Sequence, residues 1–250
     1  MIEYTTCPSC ECDRAEDLVP PGRSVDTTLD LIYSRNRAAE FSHVDLSAFL
    51  DPQFVICQNC ALIFVRMRST PAAAREYYGQ LFHVIEAPLP FDTLPLPARF
   101  IVRRTKIARE MVATLVQNGV VNSKSTVLWA RCNAGEGLKV LGDEHGLTEL
   151  YGLEYLPSLI RHAKEVYGLE NVEPLFTPEF ENPFPREKYD VIFCNETFGH
   201  AHEPREIARY LKTLLSEGGV LVSYNEKDHL KILNDKKLFP YGMNFFHKQV

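Results

Sequence analysis

The chain has 250 residues, 45% of them hydrophobic, which is enough apolar surface for one large domain or two modest ones. Its formal charge of -6 gives no general attraction to polyphosphate, and no run reaches the roughly 18 consecutive apolar residues of a membrane span. The opening MIEYTTCPSC lacks the basic then apolar layout of a signal peptide, so the expectation is a cytoplasmic globular protein without membrane or nucleic-acid partners.

Five of the seven cysteines, Cys7, Cys10, Cys12, Cys57 and Cys60, precede residue 61. In a reducing compartment clustered thiols point to metal before disulfide. Cys7-Pro-Ser-Cys10 and Cys57-Gln-Asn-Cys60 can each place two thiolates on one side of a tight turn. Two such turns facing each other make the tetrahedral four-sulfur site that zinc prefers. Four thiolates leave no open position for a substrate, so such a site is structural. Cys12 is a spare that could replace Cys10, and the competing reading is a set of buried or redox thiols.

Pro71 suits a first helical turn and Gly79 a stop, which predicts a short helix over 71–79. Four prolines between Pro88 and Pro97 then exclude helix and favour an extended connector. The expected organisation is a cysteine module with its following helix over 1–84, a Pro-rich linker over 85–97 and a second domain over 98–250.

The second domain opens with apolar residues at helical spacing, among them Ile101, Ala108, Met111, Val112 and Leu115, running up to Gly119. The basic run from Arg99 to Lys106 reads as the solvated face of this helix. From Thr126 short apolar runs alternate with helical stretches: TVLWA, then 135–145; ELYGLE, then 156–167; NVEPLF; YDVIFC, then 203–216; and GVLVSY. Such alternation predicts an α/β domain with a parallel sheet and crossover helices. VIFC and VLVS show no polar alternation, as expected of strands covered on both faces. Pro174 is tolerable only at a sheet edge, where a doubly wound order of 3-2-1-4-5 puts the third strand. Gly218 and Gly219 allow a tight turn into the fifth.

Together these residues resemble a known family. FVICQNCALIFVRMRSTPAAAREYYG (54–79), with CPSC near the start, resembles the zinc-ribbon preface of a bacterial group of class I S-adenosylmethionine-dependent methyltransferases. VLWARCNAGEG (127–137) is similar to that family's motif I and LYGLE (150–154) to its second strand. EKYDVIFCNETFGHAHEP (187–204) is similar to its fourth strand and loop, and LKTLLSEGGVLVSY (211–224) to the passage into its fifth. The resemblance covers nearly the whole chain and implies a Rossmann-like doubly wound parallel sheet preceded by a small zinc-binding module. It implies Zn2+ on Cys7, Cys10, Cys57 and Cys60, and S-adenosyl-L-methionine as cofactor. The implied reaction is methyl transfer to a small-molecule acceptor such as a sugar or a natural-product intermediate.

The resemblance also assigns roles. Glu154, ending the second strand, would accept the ribose hydroxyls, with Arg131, Asn133 and Gly135 in the turn and Tyr155 and Asn195 beside it. The alternative for Glu154 is a solvated strand-end glutamate. His200 aligns with a histidine on the substrate side and would act as a base, with Glu196 and His202 in the same loop. A helix-capping or packing role for His200 stays open.

Several positions depart from the family pattern. An acidic residue usually stands where Trp129 is, and glycines where Arg131 and Asn133 are. Side chains at those glycine positions narrow the pocket. Asparagine tolerates positive φ, whereas arginine has no such allowance. Arg131 would either pair with the methionyl carboxylate or plug the site. Thr177 stands where an acid often meets the adenine, with Glu179 nearby. The family adds a helix and an antiparallel strand pair after strand five, where this sequence has residues 225–250. The expectation is a strand-five edge that is either exposed or covered by a second copy or a protein partner. Two other readings stay open: a catalytically degenerate methyltransferase-like binding or assembly subunit, and a zinc-ribbon protein that contacts RNA, which the charge opposes.

Overall fold

The structure, a computed structural model, describes residues 2–17, 54–70, 72, 98–154, 156–175, 182–195, 197–198 and 204–224. The chain divides into two compact units, one comprising Met1–Pro88, Phe198–Ile207 and Asn225–Val250, the other Leu89–Thr197 and Ala208–Tyr224. The expected helix over 71–79, apart from Ala72, and the linker over 85–97 lie outside the described residues.

The first unit is built from short strands: β1 (Ile2–Tyr4), β2 (Ala15–Asp17), β3 (Phe54–Cys57), β4 (Ile63–Val65) and β5 (Met67–Ser69). β1 pairs antiparallel with β5, and β2, β3 and β4 form an antiparallel sheet in that order. Its buried apolar cluster is Cys7, Val55, Cys57, Leu62 and Phe64. A core of this size stabilises little by itself, and small modules of this kind usually rely on a metal or disulfides.

The second unit begins with helix α1 (Ala98–Gln117) and continues β6 (Val127–Ala130), α2 (Glu136–His145), β7 (Leu150–Glu154), α3 (Pro157–Glu165), β8 (Val172–Pro174) and β9 (Tyr189–Asn195). Helix α4 (Pro204–Leu214), of which the division assigns residues 208–214 to this unit, precedes β10 (Leu215–Tyr224). The five strands are all parallel, in the order β10-β9-β6-β7-β8. This is the expected doubly wound 3-2-1-4-5 sheet. Val127, Leu128, Trp129 and Ala130 are all buried, as are Val191, Ile192, Phe193 and Cys194 of β9, because helices cover both faces of these central strands. Each large apolar side chain so buried contributes about 1.5–3 kcal/mol. Asp190 ties the base of the two strands together, its carboxylate accepting the Thr126 N–H at 2.8 Å while its own N–H donates to the Thr126 carbonyl at 3.0 Å.

Both edges follow from local sequence. Pro174 faces Glu154 in the register of β8, and β8 is the edge strand, where a missing N–H costs no ladder bond. At the other edge, β10 pairs with β9 first at Leu215 and then from Val220 onward, with a register shift between. Gly218 has φ 74, and a Cβ on Gly219 would meet the Ser216 carbonyl at 2.9 Å, so the glycine pair expected to turn into this strand lies instead within β10, at its register shift. Among the described residues β10 has β9 as its sheet neighbour; residues 225–250 lie outside them. No described helix is long and apolar enough to cross a membrane.

The chain enters β6 in the middle of the sheet, proceeds outward through β7 and β8, and then crosses back to β9 on the other side of β6. The carboxyl ends of β6 and β9 therefore flank the topological switch point, where open α/β sheets bind their ligands.

Candidate functional site

The two cysteine turns of the first unit share one geometry. The Glu11 N–H donates to the Cys7 carbonyl at 2.8 Å, and the Ala61 N–H to the Cys57 carbonyl at 2.9 Å. The Cys7 N–H reaches the Cys12 carbonyl at 2.9 Å, and the Cys57 N–H the Leu62 carbonyl at 2.8 Å. Glu11 and Ala61, each following the second cysteine, both take positive φ, 60 and 59. The result brings four sulfurs together: Cys7, Cys10, Cys57 and Cys60 offer ligand atoms that all lie within 4.8 Å of one another. Cys7 meets Cys60 and Cys10 meets Cys57, each at 3.5 Å. A tetrahedron with metal–sulfur bonds of about 2.3 Å has sulfur–sulfur edges of about 3.8 Å, so the cluster fits that geometry. Cys12 stands apart, its thiol directed at the Arg14 carbonyl at 3.8 Å. The second pair member is therefore Cys10.

In the second unit, residues 131–135 turn from β6 into α2. Arg131 and Asn133 both have positive φ, 54 and 56, and Gly135 has φ 85 as the N-cap of α2. The turn keeps a glycine-like backbone while carrying an arginine, against the expectation that arginine would not tolerate it. Left-handed backbone costs an ordinary L-residue about 1–2 kcal/mol, less for asparagine, and persists where surrounding contacts over-determine it. Those contacts are visible: the Cys132 N–H donates to the Leu153 carbonyl at 3.0 Å, and the Gly135 N–H to the Cys132 carbonyl at 3.0 Å. Between them the Asn133 N–H donates to Glu154 Oε2 at 2.8 Å.

Glu154 is 3% exposed, so it is not a solvated strand end. Its Oε1 accepts the Leu156 N–H at 3.3 Å where the chain leaves β7 for α3. One carboxylate thus holds both the turn after β6 and the start of α3.

Trp129 lies in the core. Its indole stacks on Phe193 of β9, ring centroids 4.3 Å apart and planes at 15°. It also lies on Gly137, where a Cβ would come within 2.0 Å of the indole ring. Gly137 is thus required by Trp129. Gly135 is tight for another reason: a Cβ there would meet Leu169 at 2.5 Å.

Two buried polar groups at these strand ends escaped the sequence reading. Glu136, the first residue of α2, is 3% exposed and its Oε1 has no hydrogen-bond partner. Burial raises its carboxyl to about 7, against the opposing pull of its own backbone N–H and Arg104, and with Glu154 adding to the rise. Ser158, in the first turn of α3, is 6% exposed and its Oγ also has no partner. In the sequence Glu136 shows only as a glutamate between two glycines at a strand-to-helix turn, and nothing local announces its burial. Burial and the charges of Glu154 and Glu136 push the neighbouring Cys132 thiol well up, making it a poor nucleophile.

The structure therefore brings Arg131, Asn133, Gly135 and Glu154 together around one turn. Asn195 is the last residue of β9, in register with Tyr224 of β10. Tyr155, Glu196, His200 and His202 lie outside the described residues, as do Thr177 and Glu179.

Residues 130–223, from the end of β6 to the end of β10, match the methyltransferase-domain family. This stretch is similar to a methyltransferase domain. The matched span contains the turn, Glu154 and Glu136, whereas the cysteine cluster precedes it. No curated protein matches the chain. Among solved structures, an S-adenosylmethionine-dependent methyltransferase from Aquifex aeolicus is 22% identical, with 53% of this chain and 76% of that one covered and a TM-score of 0.40. One from Thiobacillus denitrificans, in complex with S-adenosyl-L-homocysteine, is 18% identical, with 58% and 54% covered and a TM-score of 0.37. A complex between the Haloferax volcanii Trm112 methyltransferase activator and a methyltransferase gives 19% identity, 54% and 59% coverage and a TM-score of 0.39. The chain spans a little over half the length of the last two.

Proposed function

We propose that this protein transfers a methyl group from S-adenosylmethionine to a small-molecule acceptor, such as a sugar or a natural-product intermediate. The observation that carries the reading is Glu154, a buried carboxylate at the end of β7 that also fixes the turn after β6 through the Asn133 N–H. A ribose approaching that turn would meet an acceptor already held in place, which lowers the ordering cost of binding. Bound there, the cofactor would supply an electrophilic methyl group on its sulfonium.

The chain's own part is positioning. Glu154 would orient the ribose, with Tyr155 and Asn195 beside it, and Gly135 and Asn133 would line the turn. Arg131 would pair with the methionyl carboxylate. An acceptor that must lose a proton would be served by His200, with Glu196 and His202 in the same loop after β9. Zn2+ on Cys7, Cys10, Cys57 and Cys60 would close the first unit as a structural site, because four thiolates fill its coordination.

A second reading, a methyltransferase-like binding or assembly subunit, is favoured by the side chains of Arg131 and Asn133 at positions whose backbone suits glycine. A protein or a second copy of the chain on the β10 edge would belong to either reading. Calorimetric titration of wild type, Glu154→Ala and Arg131→Gly with S-adenosylmethionine and S-adenosylhomocysteine decides between them. The expected result is wild-type binding that weakens at least about tenfold in Glu154→Ala, the scale of a lost hydrogen bond to a charged group. Affinity found only in Arg131→Gly would identify a plugged relic. No binding by any of the three sinks the enzyme reading.

A further inference from the structure

Glu136 is held between Gly135 and Gly137 at the start of α2, 3% exposed, with Oε1 lacking any hydrogen-bond partner among the described residues. A buried polar atom left in this state costs about 1–3 kcal/mol, more when charged, so its presence calls for a function. The ionisable groups that interact with it come from four places in the fold: Arg104 of α1, Glu154 of β7, Cys132 of the turn and Tyr167 after α3. Of these, Arg104 favours the Glu136 carboxylate and Glu154 opposes it. Trp129 brings no charge to the turn, since its indole is committed to Phe193 and Gly137. The turn thus holds two buried carboxylates, with Arg131 in the turn and Arg104 of α1 as the nearby cations, and Glu136 Oε1 has room in its hydrogen bonding for a cation.

We propose that Glu136 receives the ammonium group of the bound cofactor. The inference rests on the cofactor reading above and adds a residue and a proton to it. An amino-acid ammonium is a compact cation with three donors, which suits a buried carboxylate oxygen without a partner. With burial raising its carboxyl to about 7, Glu136 is partly protonated at neutral pH in the free protein. Ammonium binding stabilises the carboxylate, so that proton leaves to the buffer as the ligand enters.

The test uses the full-length, metal-loaded protein and two probes: S-adenosylhomocysteine, which has the ammonium, and methylthioadenosine, which keeps the adenosyl group and lacks the amino acid. Calorimetry at pH 7 in phosphate and in Tris separates proton release from binding heat. The expected results are net proton release with S-adenosylhomocysteine in wild type and none in Glu136→Gln. The substitution should weaken S-adenosylhomocysteine about tenfold and leave methylthioadenosine unchanged, because only the first probe has the charge-assisted bond to lose. Equal weakening of both probes, or binding without proton release and unchanged in Glu136→Gln, overturns the assignment while leaving the cofactor reading intact. Wild type that binds neither probe removes both.

Discussion

At the scale of single residues, motif I contains a packing exchange. An indole at 129 is accommodated because 137 is glycine, a Cβ at 137 lying 2.0 Å from the ring. Gly137→Ala should therefore destabilise the protein by about 1–3 kcal/mol through overpacking. Combining it with Trp129→Leu should recover part of that loss in a double-mutant cycle, as expected of two residues in direct contact. Additive denaturation midpoints would show that the indole can move aside. Glu136 gives a second residue-scale prediction. Its carboxyl lies near 7 in the folded protein against 4.5 ordinarily, so the native state binds more protons than the unfolded chain between those values. Its contribution is most favourable below pH 4.5 and is lost as pH rises through 7, a swing of about 3 kcal/mol at most. Glu136→Gln should then gain several degrees more in melting temperature at pH 8 than at pH 4.5; equal shifts at the two pH values would contradict a raised carboxyl. The sequence showed Glu154 and the turn, because strand ends and glycines announce themselves. It did not show that Arg131 would keep a glycine's φ, since that depends on the Asn133 N–H meeting Glu154, a contact across 21 residues of chain.

At the scale of elements, periodicity was a reliable guide where burial was two-sided. Helices expected over 135–145 and 203–216 form at Glu136–His145 and Pro204–Leu214, and the apolar runs become β6 and β9 within a residue or two. Pro174 correctly announced an edge, because a missing N–H can be tolerated in few other places. What the spacing left open was the choice between Cys10 and Cys12, for both follow Cys7 at a turn's distance. The backbone resolves it: the Cys12 carbonyl is used to accept the Cys7 N–H, and its thiol turns to Arg14 while Cys10 joins the cluster. Cys12→Ser should therefore retain one zinc per chain by elemental analysis, whereas Cys10→Ser should lose most of it. Equal loss in the two variants would mean that both thiols serve the ion.

At the scale of the whole molecule, the two compact units carry separate reporters. The four-sulfur cluster belongs to the first unit, which has a small apolar core and should need its ion to stay folded. Trp129, the one tryptophan of the chain, belongs to the second, buried at 2% exposure against Phe193. The second unit has an extensive core of its own, running from Val112 of α1 through Trp129, Leu138 and Leu141 to Phe193 of β9. Its stability should therefore owe little to the metal. Cobalt exchanged into the cysteine site gives a thiolate-to-metal absorption band that reads the first unit, while tryptophan emission reads the second. A strong chelator should abolish the band and leave the emission maximum blue-shifted, with unfolding of the parallel sheet occurring at nearly the same urea concentration before and after chelation. Binding of S-adenosylhomocysteine should survive as well, because Glu154, Glu136 and the turn at 131–135 all lie within the second unit. A red shift of the emission at the chelator concentration that removes the cobalt would show the opposite, that the two units unfold as one.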